Sequence, residues 1–227
     1  YFCNLGEAYR VLHDLPKAER AFRHALELDP GAVDAHGNFA LLLQTAGRFD
    51  EACFHADRAV ELRPEHAESH NNRGLILQQL GRFAAAREAF VRAANLKPTF
   101  SAPRQNLERL ANTLHQQGNP ADALATFAAI VELQPNSAPA WSNYSVGLFG
   151  AGHDTEALEA CRRALQIDPR CVDAWNNLGM FQILQGKLTE AEASLQQALN
   201  IRTDAVDALL NLASIYVRTS RDAEAEQ

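Results

Sequence analysis

Seven asparagines recur along the chain at almost constant spacing, and their amides are the side chains best suited to recognition chemistry. One interval is 37 residues and the others are 34, and the residues are Asn4, Asn38, Asn72, Asn106, Asn143, Asn177 and Asn211. We call this set the asparagine ladder and each member a rung. Each carboxamide offers an acceptor oxygen and two N–H donors, which matches the donor and acceptor of a peptide backbone. Because asparagine inside a helix is unfavourable by roughly 0.6 kcal/mol relative to alanine, seven such positions require a compensating role.

Two roles fit the ladder. In the first, the amides line a groove and bind the backbone of an extended polypeptide, whatever its side chains. In the second, each amide forms hydrogen bonds between neighbouring helices, without any ligand. The unbroken run of seven favours the groove, and the second role stays open.

Three further series of residues recur with the same spacing as the ladder, and they indicate the helices on which its asparagines lie. Prolines end a recurring phrase at Pro30, Pro64, Pro98, Pro135 and Pro169; alanines recur at Ala18, Ala52, Ala86, Ala123, Ala157 and Ala191; glycines recur at Gly47, Gly81, Gly118, Gly152 and Gly186. Apolar residues at helical spacing before each glycine predict a first helix, and the glycine ends it. A second helix follows and ends at the proline, which cannot continue a helix. No strand-like alternation occurs, so the sequence predicts an all-α protein.

The repeat resembles the tetratricopeptide repeat, a unit of 34 residues with two helices. In the first repeat the resemblance is carried by Phe2, Leu5, Gly6, Tyr9, Ala18, Phe22, Ala25 and Pro30, and in the sixth by Trp175, Leu178, Gly179, Ala191 and Ala198. It implies an α-solenoid, a right-handed superhelix of antiparallel helix pairs, whose first helices line a concave groove where protein partners bind. We expect one array over residues 1–227, with repeats at 1–32 (partial), 33–66, 67–100, 101–137, 138–171, 172–205 and 206–227 (partial).

The fourth repeat is three residues longer than the others. Its phase changes between Asn106 and Gly118, which places the insertion in the later part of its first helix. Three residues are almost one helical turn, so we expect a longer helix over 103–117. Leu107, Leu110, Ala111 and Leu114 should still share one face.

The ladder also resembles the repeat region of O-linked N-acetylglucosamine transferases, where such asparagines hold the backbone of extended substrates. Acidic residues stand four positions before four of the rungs, at Asp34, Glu68, Asp173 and Asp207. One explanation is that they complement the helix dipole in the first turn. The resemblance implies a second role, which is contact with basic or hydroxyl side chains of a bound peptide.

These features predict a non-catalytic scaffold that binds a protein or extended peptide. One alternative is the substrate-docking arm of a glycosyltransferase whose catalytic domain is absent; another is a structural module of an envelope or secretion complex. The chain begins at Tyr1 rather than Met, and we expect it to be a piece of a longer, cytoplasmic protein. Self-association through its uncapped end repeats is a further expectation.

Other classes of function find little support in the sequence. A net charge of -7 argues against nucleic-acid binding, and no apolar run reaches the ~18 residues of a membrane span. His66 and His70 alone are a weak metal signal, and we predict no metal, cofactor or catalytic residue. Some tetratricopeptide proteins hold acidic chaperone tails with a lysine immediately before the rung. No lysine occurs at these positions here, so we do not expect binding of such tails; the residues are Cys3, Gly37, Asn71, Gln105, Ser142, Asn176 and Leu210.

Overall fold

The structure, a computed structural model, describes residues 1–225, with side chains described for residues 1–219. Within that range the chain forms α-helices and no strand, which confirms the all-α prediction. The helices are α1 (Phe2–Val11), α2 (Leu15–Leu28), α3 (Val33–Thr45), α4 (Phe49–Leu62), α5 (Ala67–Gln79), α6 (Phe83–Leu96), α7 (Ala102–Gln116), α8 (Pro120–Leu133), α9 (Ala138–Gly150), α10 (Asp154–Ile167), α11 (Val172–Leu184), α12 (Leu188–Ile201) and α13 (Val206–Ala225). Odd-numbered helices are the predicted first helices, and even-numbered helices are the second.

The helices group into two compact units, with the boundary between Leu110 and Ala111, inside α7. In the first unit, α1 packs on α2, α3 on α4 and α5 on α6, while α1, α3 and α5 also contact one another in sequence. The second helices α2 and α4 additionally pack on the first helices of the next repeats, α3 and α5. First helices therefore form one layer, and each is joined to its neighbours by a second helix.

The second unit repeats this arrangement with its own helices. There α9 packs on α10, α11 on α12, and the first helices α9, α11 and α13 contact one another in sequence. The last predicted repeat begins at the start of α13, which continues through Ser220 without the turn found in the earlier repeats. Glu226 and Gln227, which end that predicted repeat, lie outside the described residues. One array over the whole chain stays a prediction.

The glycine series ends the first helices as the sequence predicts. All five glycines have a left-handed backbone, with φ between 70° and 82°, a conformation that costs glycine little and other residues more. His13 occupies the equivalent position of the first repeat with φ 58°. The turn is therefore imposed by packing of the helix pair, and glycine makes it easier.

The proline series marks the ends of the second helices. Each of these helices ends two residues before its proline, as α2 does at Leu28 before Pro30. In the sixth repeat Thr203 replaces the proline, yet α12 ends at the equivalent residue, Ile201. Proline therefore favours this end of the helix but is not required for it.

Small residues allow the paired helices to approach closely. A Cβ added to Gly74 would lie 2.5 Å from the Phe90 ring, and one added to Gly6 would lie 2.7 Å from the Phe22 ring. Both rings are completely buried. The large side chain of the second helix thus fills the space that glycine leaves on the first.

The insertion lengthens α7, as predicted, but by two residues rather than by a whole turn. The helix spans Ala102–Gln116 instead of 103–117, and the loop before it, residues 97–101, has one residue more than the loops before α3, α5, α9 and α11. This helix has 15 residues, against 13 in each of α3, α5, α9 and α11. Four of its apolar side chains are fully buried, namely Leu107, Leu110, Ala111 and Leu114. Two of the three extra residues therefore extend the helix without turning its apolar face outward.

Candidate peptide-binding face

Each rung of the asparagine ladder lies on a first helix, one turn from its start. Asn4 and Asn143 are exposed, whereas Asn106 is buried with 6% of its surface exposed. The other four rungs, Asn38, Asn72, Asn177 and Asn211, are half-buried. Six of the seven amides can therefore be reached from solvent.

Three rungs of the first unit come together around one cavity. Asn4, Asn38 and Asn72 line a space of about 700 Å³, together with the acidic residues Asp34 and Glu68. The other lining side chains are mainly small or polar. Amide donors, amide acceptors and carboxylates thus face the same space, which is the chemistry that an extended polypeptide chain needs.

Four rungs also form hydrogen bonds to the preceding first helix. The Nδ2 of Asn106 donates to Asn71 Oδ1 over 2.8 Å, and that of Asn211 donates to Asn176 Oδ1 over 2.9 Å. Asn177 Nδ2 donates to both the hydroxyl and the backbone carbonyl of Ser142, over 3.1 Å and 3.3 Å. These bonds are the ligand-free role that the sequence left open.

The fourth of these contacts is weaker, because its acceptor is sulfur. Asn38 Nδ2 lies 3.7 Å from the Cys3 Sγ. In all four cases the acceptor stands immediately before the preceding rung, 35 residues earlier. These contacts use the N–H groups of the amides, and the Oδ1 of Asn106 also accepts from Arg109 over 3.0 Å. Binding of a peptide by the groups that remain stays a prediction.

The four acidic residues lie in the first turns of their helices, where they complement the helix dipole. Glu68 also forms an ion pair of 2.6 Å with Lys97, and this hydrogen bond lowers the pKa of the Glu68 carboxyl. Asp173 forms a longer ion pair of 3.7 Å with Arg202. Asp34 and Asp207 are exposed and have no ion pair among the described residues.

The two ion pairs occur at equivalent positions in two different repeats. The cation of each pair follows its acid by 29 residues and is the last residue before the proline position. Asp34 has an arginine at the same offset, Arg63, and both line the cavity of the first unit without pairing. The Asp34 carboxylate and the Arg63 guanidinium therefore do not neutralise each other in this cavity.

Comparison with known families agrees with the repeat. Models described as tetratricopeptide repeat match residues 1–32, residues 38–99 and 108–170, and residues 148–205. The second of these models alone matches more than half of the chain. This chain belongs to the tetratricopeptide repeat family.

Solved structures with a similar fold were also found. The structure of YrrB, described as a TPR protein with an unusual peptide-binding site, is 25% identical with a TM-score of 0.54, and the match covers 83% of this chain and 96% of that chain. MamA is 20% identical with a TM-score of 0.53, covering 74% of this chain and 91% of that chain. The Naa15/Naa10 complex bound to HypK-THB gives a TM-score of 0.61 at 16% identity, covering 99% of this chain and 34% of that chain.

The last two of these likenesses concern the fold alone. A comparison with curated proteins found no match. The resemblance to O-linked N-acetylglucosamine transferases rests on the ladder and stays a prediction.

Among the described residues, the helices lack the combination of length and apolarity that a membrane crossing requires.

One set of residues in this tetratricopeptide array escaped the sequence analysis. In five repeats a side-chain nitrogen on the first helix lies within hydrogen-bonding distance of the carbonyl of the proline six residues earlier; these residues are His36, His70, Arg104, Trp141 and Trp175, at 2.7–3.1 Å. They share the spacing of the ladder, which could have revealed them. What hid them is that the residue type changes between His, Arg and Trp, and that the sequence raised only metal binding for His70.

The two histidines considered for metal binding have protein partners. His70 Nε2 lies 2.8 Å from the Pro64 carbonyl, and His66 Nδ1 lies 2.8 Å from the Ser69 hydroxyl. Among the described side chains, no three His, Cys, Asp or Glu residues are grouped so as to hold a metal ion. All four cysteines are free thiols, and burial raises the pKa of Cys161 to about 11.

Proposed function

We propose that this chain is a non-catalytic scaffold that binds an extended polypeptide along the asparagine-bearing faces of its first helices. Tetratricopeptide repeat proteins act as protein–protein interaction scaffolds, and some of them bind peptides. The observation that carries the proposal is the cavity of the first unit, which brings Asn4, Asn38 and Asn72 together with Asp34 and Glu68. The peptide-binding site described for the similar YrrB structure adds support.

The spacing of packed helices suits an extended ligand. Packed helices lie about 8–10 Å apart, and an extended chain advances roughly 3.3 Å per residue. Successive rungs should therefore meet about every third residue of the bound peptide. Because the amides address the backbone, the scaffold should accept many sequences, and the acidic residues should favour peptides that carry lysine.

The test removes two adjacent rungs of the second unit. We expect Asn143→Ala with Asn177→Ala to weaken binding by roughly thirtyfold, since each of the two lost hydrogen bonds is worth about 1 kcal/mol. The probe is a fluorescein-labelled, unstructured peptide of about 18 residues made of Ser, Thr and Lys, and the readout is fluorescence anisotropy. Thermal stability should change little, because the higher helix propensity of alanine offsets the lost contact of Asn177 with Ser142.

A matched control removes asparagines that are not rungs. Asn95 and Asn200 are exposed on second helices, so their replacement by alanine should leave the affinity unchanged. Equal affinities of the parent and the rung variant would show that the ladder is structural. An equal loss in the control variant would show that the peptide binds elsewhere.

A further inference from the structure

The residue immediately before a rung is the hydrogen-bond acceptor for the rung of the following repeat. Within each unit this holds at Asn71, Ser142 and Asn176, and more weakly at Cys3. These positions carry different residue types, yet each lies opposite the next rung at the contact between two first helices. What these positions share is therefore the hydrogen-bond acceptor that they offer to the neighbouring amide, and not a residue type.

The bond fixes which way the amide faces. At Asn177 one acceptor is the backbone carbonyl of Ser142, and a carbonyl oxygen cannot donate. The NH₂ group of Asn177 must therefore point at Ser142, which turns Oδ1 to the opposite side. The oxygen of this amide then has a set orientation before any ligand arrives.

Gly37 is the exception within the first unit. A Cβ added there would lie 3.6 Å from Asn72 Nδ2, which is an ordinary contact distance. Asn72 therefore lies opposite Gly37 as Asn177 lies opposite Ser142, but glycine has no side chain to accept its bond. Within the part of the chain that the structure describes, the Asn72 side chain forms no hydrogen bond.

We propose that the residue preceding each rung is a positioning residue that orients the next amide for binding the peptide backbone, and that Gly37 leaves Asn72 unpositioned. This inference rests on the proposed function of the ladder. A side chain that is ordered in advance loses less conformational freedom on binding than a mobile one. Rungs with a partner should therefore contribute more to affinity than Asn72 does.

The decisive experiment adds the missing acceptor. Gly37→Ser supplies the hydroxyl that Ser142 supplies to Asn177, and Gly37→Ala is its matched control, with the same Cβ and no acceptor. With the labelled Ser/Thr/Lys peptide, we expect the serine variant to bind about threefold more tightly than the alanine variant. In an Asn72→Ala background this difference should vanish, because the serine then has no amide to orient.

The reverse experiment removes an acceptor in the second unit. Asn176→Ala should weaken binding about threefold, and Asn176→Ser should restore most of the loss. Neither change should alter affinity once Asn211 is alanine. The side-chain ¹⁵N–¹H signals of Asn72 and Asn211, measured without peptide, give a second readout: slower solvent exchange is expected wherever the acceptor is present.

The outcomes separate this inference from the proposed function. If rung variants weaken binding but Gly37→Ser and Gly37→Ala bind equally, the positioning role is wrong and the scaffold role stands. A serine effect that persists without Asn72 would also overturn the positioning role. If removal of rungs leaves affinity unchanged, the proposed function itself fails.

Discussion

Asn72 in the first unit and Asn177 in the second occupy the same slot of the repeat, yet their amides have different surroundings. Asn177 donates to Ser142 on the preceding first helix, whereas Asn72 lies opposite Gly37 and has no acceptor there. Both are half-buried and both follow an acidic residue by four positions. The difference shows that identical residues at identical spacing can have different hydrogen-bond partners.

The acidic residues show the same divergence. Glu68 and Asp173 are paired with cations from the end of the following second helix, whereas Asp34 and Arg63 have the same spacing but do not pair. The unpaired set and the unpartnered rung share one cavity. This part of the first unit therefore combines an amide without an acceptor with a carboxylate and a guanidinium that do not pair with each other.

The largest expected effect contrasts two glycines of the first unit. Gly74→Ala should lower the free energy of unfolding by about 1–3 kcal/mol, because its Cβ would lie 2.5 Å from the fully buried Phe90 ring. Gly37→Ala should instead raise it by about 0.5–1 kcal/mol, since alanine favours the helix and fits at this site. Urea unfolding followed by circular dichroism measures both. A destabilised Gly37→Ala variant would mean that residue 37 has no room for a positioning side chain.

The next effect concerns a rung that has a partner. Asn71→Ala should lower the free energy of unfolding by about 1–2 kcal/mol, because it leaves the buried Asn106 amide without its acceptor. Adding Asn106→Ala should recover part of that loss, since the unpaired donor is then gone. Urea unfolding of the single and double variants forms the test. Purely additive losses would contradict a direct Asn71–Asn106 interaction.

The smallest effect concerns the paired acid. The ion pair with Lys97 lowers the Glu68 pKa, so its stabilisation is complete above the pKa of an unfolded glutamate and is lost as pH falls through the lower folded value. The side chain is 39% exposed, and solvent screening should limit the contribution to less than about 1 kcal/mol. Urea unfolding of the parent and Glu68→Gln should therefore differ at pH 7 and converge in acid. Asp34→Asn, which removes no ion pair, is the control.

Much of the fold could be predicted because it depends on local signals. The helix pairs and their ends at glycine and proline follow from residue types a few positions apart. The lengthened α7 follows from the longer spacing of the fourth repeat. Close packing of Gly74 on Phe90 could also be predicted, since the repeat places a small residue opposite a large one. His13 and Thr203 show the limit of this approach, because the turn and the helix end persist where the typical residue is missing.

The candidate site was only partly predictable. The sequence by itself determined which amides recur and that they fall one turn into the first helices, because that depends only on spacing and helical periodicity. It could not determine which amides have partners, since the acceptors stand 35 residues earlier and differ in type from Cys3 to Asn176. Only the packing of neighbouring first helices brings Ser142 to Asn177 and Gly37 to Asn72. Tertiary structure decided this because a hydrogen bond depends on distances of a few tenths of an ångström, which spacing along the chain does not specify.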